Sequence, residues 1–207
     1  MLKYLFLLLA YLVGSIPFSY ILGKYIKKDD IRKHGSGNLG TTNAFRVFGA
    51  LIGISVLILD TLKSGLFIPI VNSLSETNDM FPPLIYGAVA VIGHIFPVWM
   101  KFKGGKGVAS SFGILIFFYP LIPILLLPVF VVTIVISKYA SLASTVVTIL
   151  AFISGLVLYL VGVPPIDLVY VITTFTLMLI IMYKHRSNYR RIIDGNENKI
   201  VFKKKKV

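Results

Sequence analysis

The sequence predicts an all-α integral membrane protein with seven transmembrane helices, and three observations support this fold class. Hydrophobic residues make up 57% of the 207 positions, and the mean hydropathy of +0.87 is well above that of soluble domains. The apolar residues are gathered in long runs. Basic residues follow alternate runs, as is typical of loops beside an anionic inner leaflet. The length suits a single transmembrane domain over residues 1–207, with a basic cytoplasmic tail from about residue 184.

Six apolar runs define the predicted spans, at roughly 2–23, 50–72, 82–100, 108–137, 142–161 and 166–183. The first run is too long for the hydrophobic region of a signal peptide, and no small-residue cleavage site follows it, so it counts as a span. The fourth run is too long for one helix across a ~30 Å hydrocarbon core. Its three prolines, Pro120, Pro123 and Pro128, predict a break into two short spans with a turn near 120–128.

The positions of lysine and arginine predict the orientation. All of the 21 basic residues except Lys3 and Lys63 fall in four groups, at residues 24–46, 101–106, 138 and 184–206. The loops between these groups, near 73–81 and 162–167, contain acidic residues and neither lysine nor arginine. If the 108–137 run crosses twice, all four groups lie on one side, which is the cytoplasm by the positive-inside rule. We therefore predict an external N-terminus and a cytoplasmic C-terminus.

Composition excludes several kinds of function. The chain has no cysteine, which rules out disulfides, thiolate metal sites and a cysteine nucleophile. A net charge of +13 is also typical of nucleic-acid-binding proteins, but here the charges lie just beyond apolar runs, where an anionic membrane surface attracts them. We therefore predict contact with membrane lipid and no nucleic-acid partner.

The segment at 35–49, G-S-G-N-L-G-T-T-N-A-F-R-V-F-G, predicts a phosphate-binding loop on the cytoplasmic side. Its glycines allow the backbone to approach an anion with bare N–H groups turned toward it. The segment also holds side-chain donors that suit anionic oxygens, namely Ser36, Asn38, Thr41, Thr42, Asn43 and Arg46. Its first six residues match G-x-G-x-x-G, but a dinucleotide fold requires a preceding strand, and a basic helix end precedes this loop instead.

A second glycine-rich segment joins G-H-I-F-P at 93–97 to F-K-G-G-K-G-V-A-S-S at 102–111. Gly104, Gly105 and Gly107 surround Lys106 immediately before a predicted helix. Bare N–H groups at a helix N-terminus, beside an ammonium group, predict a second anion site. The segment is not a Walker loop, because glycine follows the lysine where Ser or Thr is required. The alternative is a flexible re-entry turn with an interfacial lysine.

A third polar segment, at 185–197, follows the last span. His185 and Asn188 are three residues apart, so they share one face if the helix continues. Arg190 and Arg191 are interpreted as inner-leaflet anchors. Ser141 is a candidate substrate contact, although small residues there are also typical of helix packing.

Two charged residues lie within an apolar run. Asp60 and Lys63 are also three residues apart, and charges at such depth are usually paired or functional. We favour a structural ion pair over a substrate contact. His34 is interpreted as an exposed loop residue, and His94 as a hydrogen-bonded structural histidine.

Together the three polar segments resemble those of the PlsY family, the acyl-phosphate-dependent glycerol-3-phosphate acyltransferases of the bacterial inner membrane. The resemblance covers most of the chain, with Ser110 replacing the family's usual threonine. It implies transfer of a fatty acyl group from acyl phosphate to the 1-hydroxyl of glycerol 3-phosphate, giving lysophosphatidic acid on the cytoplasmic face. It places the family's functional positions on Ser36, Arg46, Lys106, His185 and Asn188, with the 104–107 loop around the acyl phosphate. Glu197 matches a position of structural or uncertain role.

The chemistry of the residues agrees with this expectation. Acyl phosphate is already activated, so neither a metal, a cofactor nor a covalent intermediate is required; the protein must neutralise two phosphates and orient a hydroxyl. His185 is the first candidate for the general base, and a substrate phosphate is the alternative proton acceptor. Two other functions compete with this one. An organic-phosphate transporter would often be built from two repeated halves. A lipid-binding scaffold would leave both glycine loops unexplained.

Overall fold

The computed structural model describes residues 1–200, and all regular structure within them is helical. The four lysines at 203–206, which belong to the predicted basic tail, lie outside the described residues. Single 3₁₀ turns occur at Ile31–Lys33 and Val98–Met100. The α-helices are α1 (Leu2–Gly14), α2 (Phe18–Ile26), α3 (Thr41–Phe48), α4 (Ala50–Gly65), α5 (Phe67–Ser75), α6 (Pro83–Ile95), α7 (Val108–Phe118), α8 (Leu121–Ser137), α9 (Ala140–Leu160) and α10 (Leu168–Ile193).

Several of these helices are long and apolar enough to cross a membrane. Four segments qualify without a sharp bend, at Ala50–Ser75, Pro83–Met100, Ala140–Leu160 and Leu168–Ile193. The pair α1 and α2 qualifies together, with a 42° bend between the two helices. The apolar helices α7 and α8 are shorter, and counting each as a span gives the predicted seven. The number of crossings and the orientation stay predictions.

The predicted break in the 108–137 run is present, but it is narrower than expected. α7 ends at Phe118, and α8 begins at Leu121 with Pro120 as its N-cap. Proline is tolerated in the first turn of a helix because the N–H groups there have no intrahelical acceptor. Pro123 therefore lies inside α8 near its start, and Pro128 lies within the same helix. The turn ends at Pro120 and does not extend to residue 128.

Close packing of α4 against its neighbours builds the centre of the bundle. A Cβ atom on Gly113 of α7 would collide with the backbone of Thr61 in α4, so the two helices touch through their main chains. Such contacts are characteristic of helices that pack within membranes. The outer face of α8 carries exposed aliphatic side chains such as Leu125 and Ile136, as expected of a lipid-facing surface.

Candidate functional site

The three polar segments meet at one end of the helical bundle. Lys106, from the loop before α7, donates a hydrogen bond from Nζ to Oδ1 of Asn188 on α10. Leu39 of the first loop lines the same cavity of about 10 Å³ as Gly104 and Gly105 of the second. Residues that are far apart in sequence thus form one polar surface with glycine loops on two sides.

The first loop is organised around the buried amide of Asn43. Its Nδ2 donates to the carbonyl oxygens of His34 at 3.2 Å and Asn38 at 3.0 Å, and its Oδ1 accepts from the N–H of Ser36 at 2.9 Å. Asn43 is 2% exposed, so it holds the loop and does not face a ligand. Asn38 is partly committed as well, because its Oδ1 accepts from the N–H of Gly40 at 2.8 Å.

Three of the six side chains predicted to bind an anion are exposed, namely Ser36, Thr42 and Arg46. Thr41, at the start of α3, has a buried hydroxyl without a hydrogen-bond partner in the described part of the chain. The fold therefore separates the donors of the first loop into a structural amide, Asn43, and a set of hydroxyls with one guanidinium.

In the second loop, the N–H groups that lack an acceptor are not the ones that the sequence predicted. The N–H of Gly105 donates to His94 O at 3.1 Å, and the N–H of Gly104 donates to Ile95 O at 3.2 Å. Both glycine N–H groups therefore tie the loop to the end of α6. Within residues 1–200, the N–H groups of Lys106, Gly107 and Val108 have no hydrogen-bond acceptor. The donors available to an anion thus begin two residues later than predicted, at the N-terminus of α7.

α10 continues through the third segment, so His185 and Asn188 do share a face, and both are buried. Nδ1 of His185 lies 2.8 Å from Ile181 O. Because a carbonyl only accepts, Nδ1 carries the proton and Nε2 of the neutral ring has a free lone pair. Nε2 has no hydrogen-bond partner among the described residues. The ring also stacks on Tyr189, whose hydroxyl lies 2.7 Å from Thr145 Oγ1.

Glu197 connects the third segment to α9. Its Oε1 accepts from Asn188 Nδ2 at 2.7 Å and from Ser141 Oγ at 3.1 Å, and its Oε2 accepts from Arg191 Nε at 2.8 Å. The side chain of Arg191, which we interpreted as an inner-leaflet anchor, pairs with this carboxylate, and the anchoring role stays a prediction. The Ser141 hydroxyl, a candidate substrate contact, donates to Glu197. Neither pairing has a sequence signal, apart from the presence of two acidic residues, Asp194 and Glu197, after a basic helix end.

Burial and nearby charges set the protonation of the two ionisable groups at the centre. Burial, the largest influence, lowers the pKa of Lys106 to about 8; Glu197 opposes the shift and the nearby cations, Arg191 first, reinforce it. Burial also acts to raise the pKa of Glu197, but hydrogen bonds from Asn188 and Arg191 outweigh it and hold that pKa below its ordinary value. At neutral pH the site therefore contains an ionised carboxylate and an ammonium that is easily deprotonated.

Asp60 and Lys63 form a buried ion pair, with 2.7 Å between Asp60 Oδ1 and Lys63 Nζ. Lys63 Nζ is also 3.0 Å from Nδ1 of His94. His34, by contrast, is exposed and lies 2.9 Å from Asp29 Oδ2.

Comparison with known proteins agrees with this architecture. A family model described as glycerol-3-phosphate acyltransferase matches residues 4–195. A glycerol-3-phosphate acyltransferase of Geobacillus kaustophilus is 43% identical over 198 residues, covering 95% of both chains. One from Bacillus subtilis is 43% identical over 200 residues, covering 97% of this chain and 98% of the relative.

Two crystal structures of PlsY, an integral membrane glycerol 3-phosphate acyltransferase, have the same fold. Its glycerol 3-phosphate form superposes with a TM-score of 0.84 at 33% identity, covering 97% of this chain and 96% of that one. Its lysophosphatidic acid form gives a TM-score of 0.81 at 32% identity over the same shares. These matches confirm the resemblance drawn from the three polar segments and the all-helical membrane fold. The chain belongs to the glycerol-3-phosphate acyltransferase family.

Proposed function

We propose that this protein transfers a fatty acyl group from acyl phosphate to the 1-hydroxyl of glycerol 3-phosphate, forming lysophosphatidic acid and phosphate for phospholipid synthesis. The observation that carries the proposal is the meeting of Lys106, Asn188 and the free N–H groups of α7 beside the Arg46 loop. The reaction involves two phosphate-bearing substrates, and this arrangement offers separate cationic donors on two loops.

The choice of acyl phosphate as donor rests on what the residues need to do. In a mixed anhydride the leaving group is phosphate, so the site needs donors for that phosphate and a means to orient the attacking hydroxyl. The chain also has no H-x₄-D pattern, which we associate with thioester-using acyltransferases: Leu39, Trp99 and Arg190 stand at the fifth position after its three histidines. Both points favour acyl phosphate over an acyl thioester.

We assign the two substrates to the two loops. Ser36, Thr42 and Arg46, whose side chains are exposed on the first loop, bind glycerol 3-phosphate together with the unpartnered Thr41 hydroxyl and the Asn38 amide. Lys106 and the N–H groups of Gly107 and Val108 bind the phosphate of the donor. Gly104 and Gly105 shape that loop through their bonds to α6. Asn188 orients Lys106, Glu197 orients Asn188, and the Ser141 hydroxyl donates to Glu197.

The reaction then balances without a covalent enzyme intermediate. The hydroxyl oxygen of glycerol 3-phosphate attacks the acyl carbonyl carbon, the bond from that carbon to the phosphate oxygen breaks, and phosphate leaves. Nε2 of His185 accepts the hydroxyl proton, which agrees with its free lone pair. A substrate phosphate oxygen is the alternative acceptor.

The location follows from the distribution of charge. With seven spans and an external N-terminus, both glycine loops and the end of α10 lie on the cytoplasmic face of a bacterial inner membrane. This arrangement gives the site access to a water-soluble substrate, glycerol 3-phosphate, and to a lipid-borne acyl donor.

One assay tests the proposal. Purified protein in detergent is given acyl phosphate and labelled glycerol 3-phosphate, in parallel with acyl-CoA and acyl carrier protein thioester, and lysophosphatidic acid is measured. We expect product from acyl phosphate alone, and its loss in Lys106→Met but not in Lys27→Met, a matched change at an exposed lysine. Absence of product, with uptake of glycerol 3-phosphate into liposomes containing the protein, would instead establish a transporter.

A further inference from the structure

Behind the two glycine loops lies a buried cluster of three ionisable side chains. Asp60 and Lys63 come from α4, and His94 comes from the last turn of α6; each is no more than 6% exposed. Nδ1 of His94 is 3.0 Å from Lys63 Nζ and 3.5 Å from Asp60 Oδ1. The cluster touches none of the groups assigned above to the substrate phosphates.

The hydrogen bonds of this cluster fix the direction in which the His94 ring faces. Lys63 Nζ has three acceptors for its three protons: Asp60 Oδ1 at 2.7 Å, His94 Nδ1 at 3.0 Å and Ile16 O at 2.9 Å. Nδ1 of His94 therefore accepts, and its Nε2 carries the proton. Nε2 faces the second loop, because a Cβ atom on Gly105 would fall directly on it.

The same residues fasten the second loop. The carbonyl oxygen of His94 accepts from Gly105 N–H at 3.1 Å, so both the ring and the backbone of His94 contact the loop. α4 adds a hydrogen bond of 2.7 Å from Ser64 Oγ to Ser110 O in the first turn of α7. The position of Lys106, between these two attachments, thus depends on α4.

The first loop is connected to the cluster through the bend between α1 and α2. Lys63 binds Ile16 O in that bend, and three residues later Ser19 Oγ donates to Leu39 O of the first loop at 2.6 Å. A cavity of about 10 Å³ lies where the parts meet, lined by Leu39, Asp60, Lys63, His94, Gly104 and Gly105 among others. The ion pair therefore lies between the loops that bind donor and acceptor.

A contribution to folding stability does not by itself explain why this cluster is present. A buried ion pair often contributes no more than apolar side chains of the same volume, because both charges lose their hydration. Asp60 Oδ2, moreover, is buried without a hydrogen-bond partner in the part of the chain that the structure describes. What the cluster supplies is a set of directional contacts to both loops.

We infer that Asp60, Lys63 and His94 are positioning residues that hold the two glycine loops in register, so that the hydroxyl of the acceptor meets the acyl carbonyl of the donor. The inference rests on the proposed function for its kinetic consequence. Misplacement of reacting groups by about 1 Å is enough to lower a rate about 100-fold while both binding sites stay intact. The expected signature is thus a fall in kcat with KM for both substrates nearly unchanged.

The kinetic test uses the double variant Asp60→Asn/Lys63→Met, since removing one charge alone leaves the other buried and unpaired. We expect kcat to fall about 100-fold with each KM within about threefold of the parent. The matched control is Lys3→Met/Asp79→Asn, which removes an exposed pair of 2.6 Å elsewhere on the molecule and is expected to leave kcat unchanged. Unchanged kcat in the folded double variant, or a raised KM with kcat intact, would overturn the inference. If the double variant does not fold, the milder His94→Gln decides by the same criteria.

A second measurement does not depend on activity. Because the chain has no cysteine, Lys33→Cys and Lys103→Cys accept two spin labels at exposed residues that flank the two loops. We expect one narrow distance between the labels in the parent and a broader or shifted distance in the double variant. An unchanged distance overturns the positioning role. If the parent forms no lysophosphatidic acid, the proposed function fails, and the label distance alone decides the inference.

Discussion

Glu197 Oε1 accepts a hydrogen bond from Asn188 Nδ2 at 2.7 Å. This contact fixes the orientation of the Asn188 amide, whose oxygen accepts a hydrogen bond from the Lys106 ammonium. The carboxylate cannot donate, so the amide nitrogen must face Glu197 and the amide oxygen must face Lys106. Glu197 thereby orients Lys106, the cation that we propose binds the donor phosphate, through an intermediate side chain. This relationship leads to the first of four predictions.

Substitution Glu197→Gln should release this orientation. A glutamine donates as well as accepts, so the Asn188 amide is free to turn, and Arg191 loses its charged partner. We expect a loss of about 2 kcal/mol in the free energy of unfolding, typical of a hydrogen bond to a charged group, and a lower kcat/KM. Thermal unfolding in detergent and the acyltransferase assay measure the two effects. Asp194→Asn, at an exposed carboxylate nearby, is the control and should change neither.

The pH dependence of kcat/KM should follow the ionisation of Lys106. A lysine whose pKa is lowered to about 8 is charged below that pH and neutral above it. Binding of the donor phosphate therefore weakens as the pH rises through about 8, and kcat/KM should fall about tenfold per pH unit beyond it. In Lys106→Arg the guanidinium stays charged, so this alkaline limb should disappear, whatever the residual rate. A profile that stays flat up to pH 9.5 in the parent would be the contrary result.

Removal of His185 should distinguish the two proton acceptors. If Nε2 accepts the hydroxyl proton, His185→Ala should lower kcat by about 10²–10⁴-fold, the usual contribution of a general base. His34→Ala, at an exposed loop histidine, should leave the kinetics unchanged. Nearly full kcat with a raised KM in His185→Ala would mean that a substrate phosphate takes the proton and that the histidine only binds.

Replacing Gly107 should lower activity as well as stability. Gly107 has φ +88° at the start of α7, and Gly162 has φ +75° in a loop where a Cβ atom would meet nothing. Alanine at either site should cost about 1–2 kcal/mol of stability because both backbones are left-handed. The cost should be higher at Gly107, because a Cβ atom there would also lie 2.8 Å from Ile95 Cδ1. Only Gly107→Ala should also reduce activity, by more than about tenfold, because it shifts the N–H groups assigned to the donor phosphate. Equal activity in the two variants would contradict that assignment.

The sequence was sufficient to predict an all-helical integral membrane fold, and it drew attention to the three polar segments that the structure brings together. Run length and hydropathy predicted an all-helical membrane protein, and three prolines predicted a break, which lies at Tyr119–Pro120. These features depend on neighbouring residues alone, so periodicity and local chemistry reveal them. The donor types in the two glycine loops were visible for the same reason.

Partner choice was decided by tertiary structure. The N–H groups of Gly104 and Gly105 look free in the sequence, but the end of α6 supplies carbonyl acceptors for both. Asn43 looks like an anion donor, yet its amide is consumed by the loop itself.

The contacts of Glu197 and His94 illustrate the same limit over longer distances. Glu197 reaches Ser141, 56 residues away, and Lys63 reaches His94, 31 residues away. Whether a polar group faces a substrate or another side chain depends on how helices distant in sequence pack, because every buried donor and acceptor must find its partner within that packing. Residue type and spacing along the chain do not reveal that packing directly.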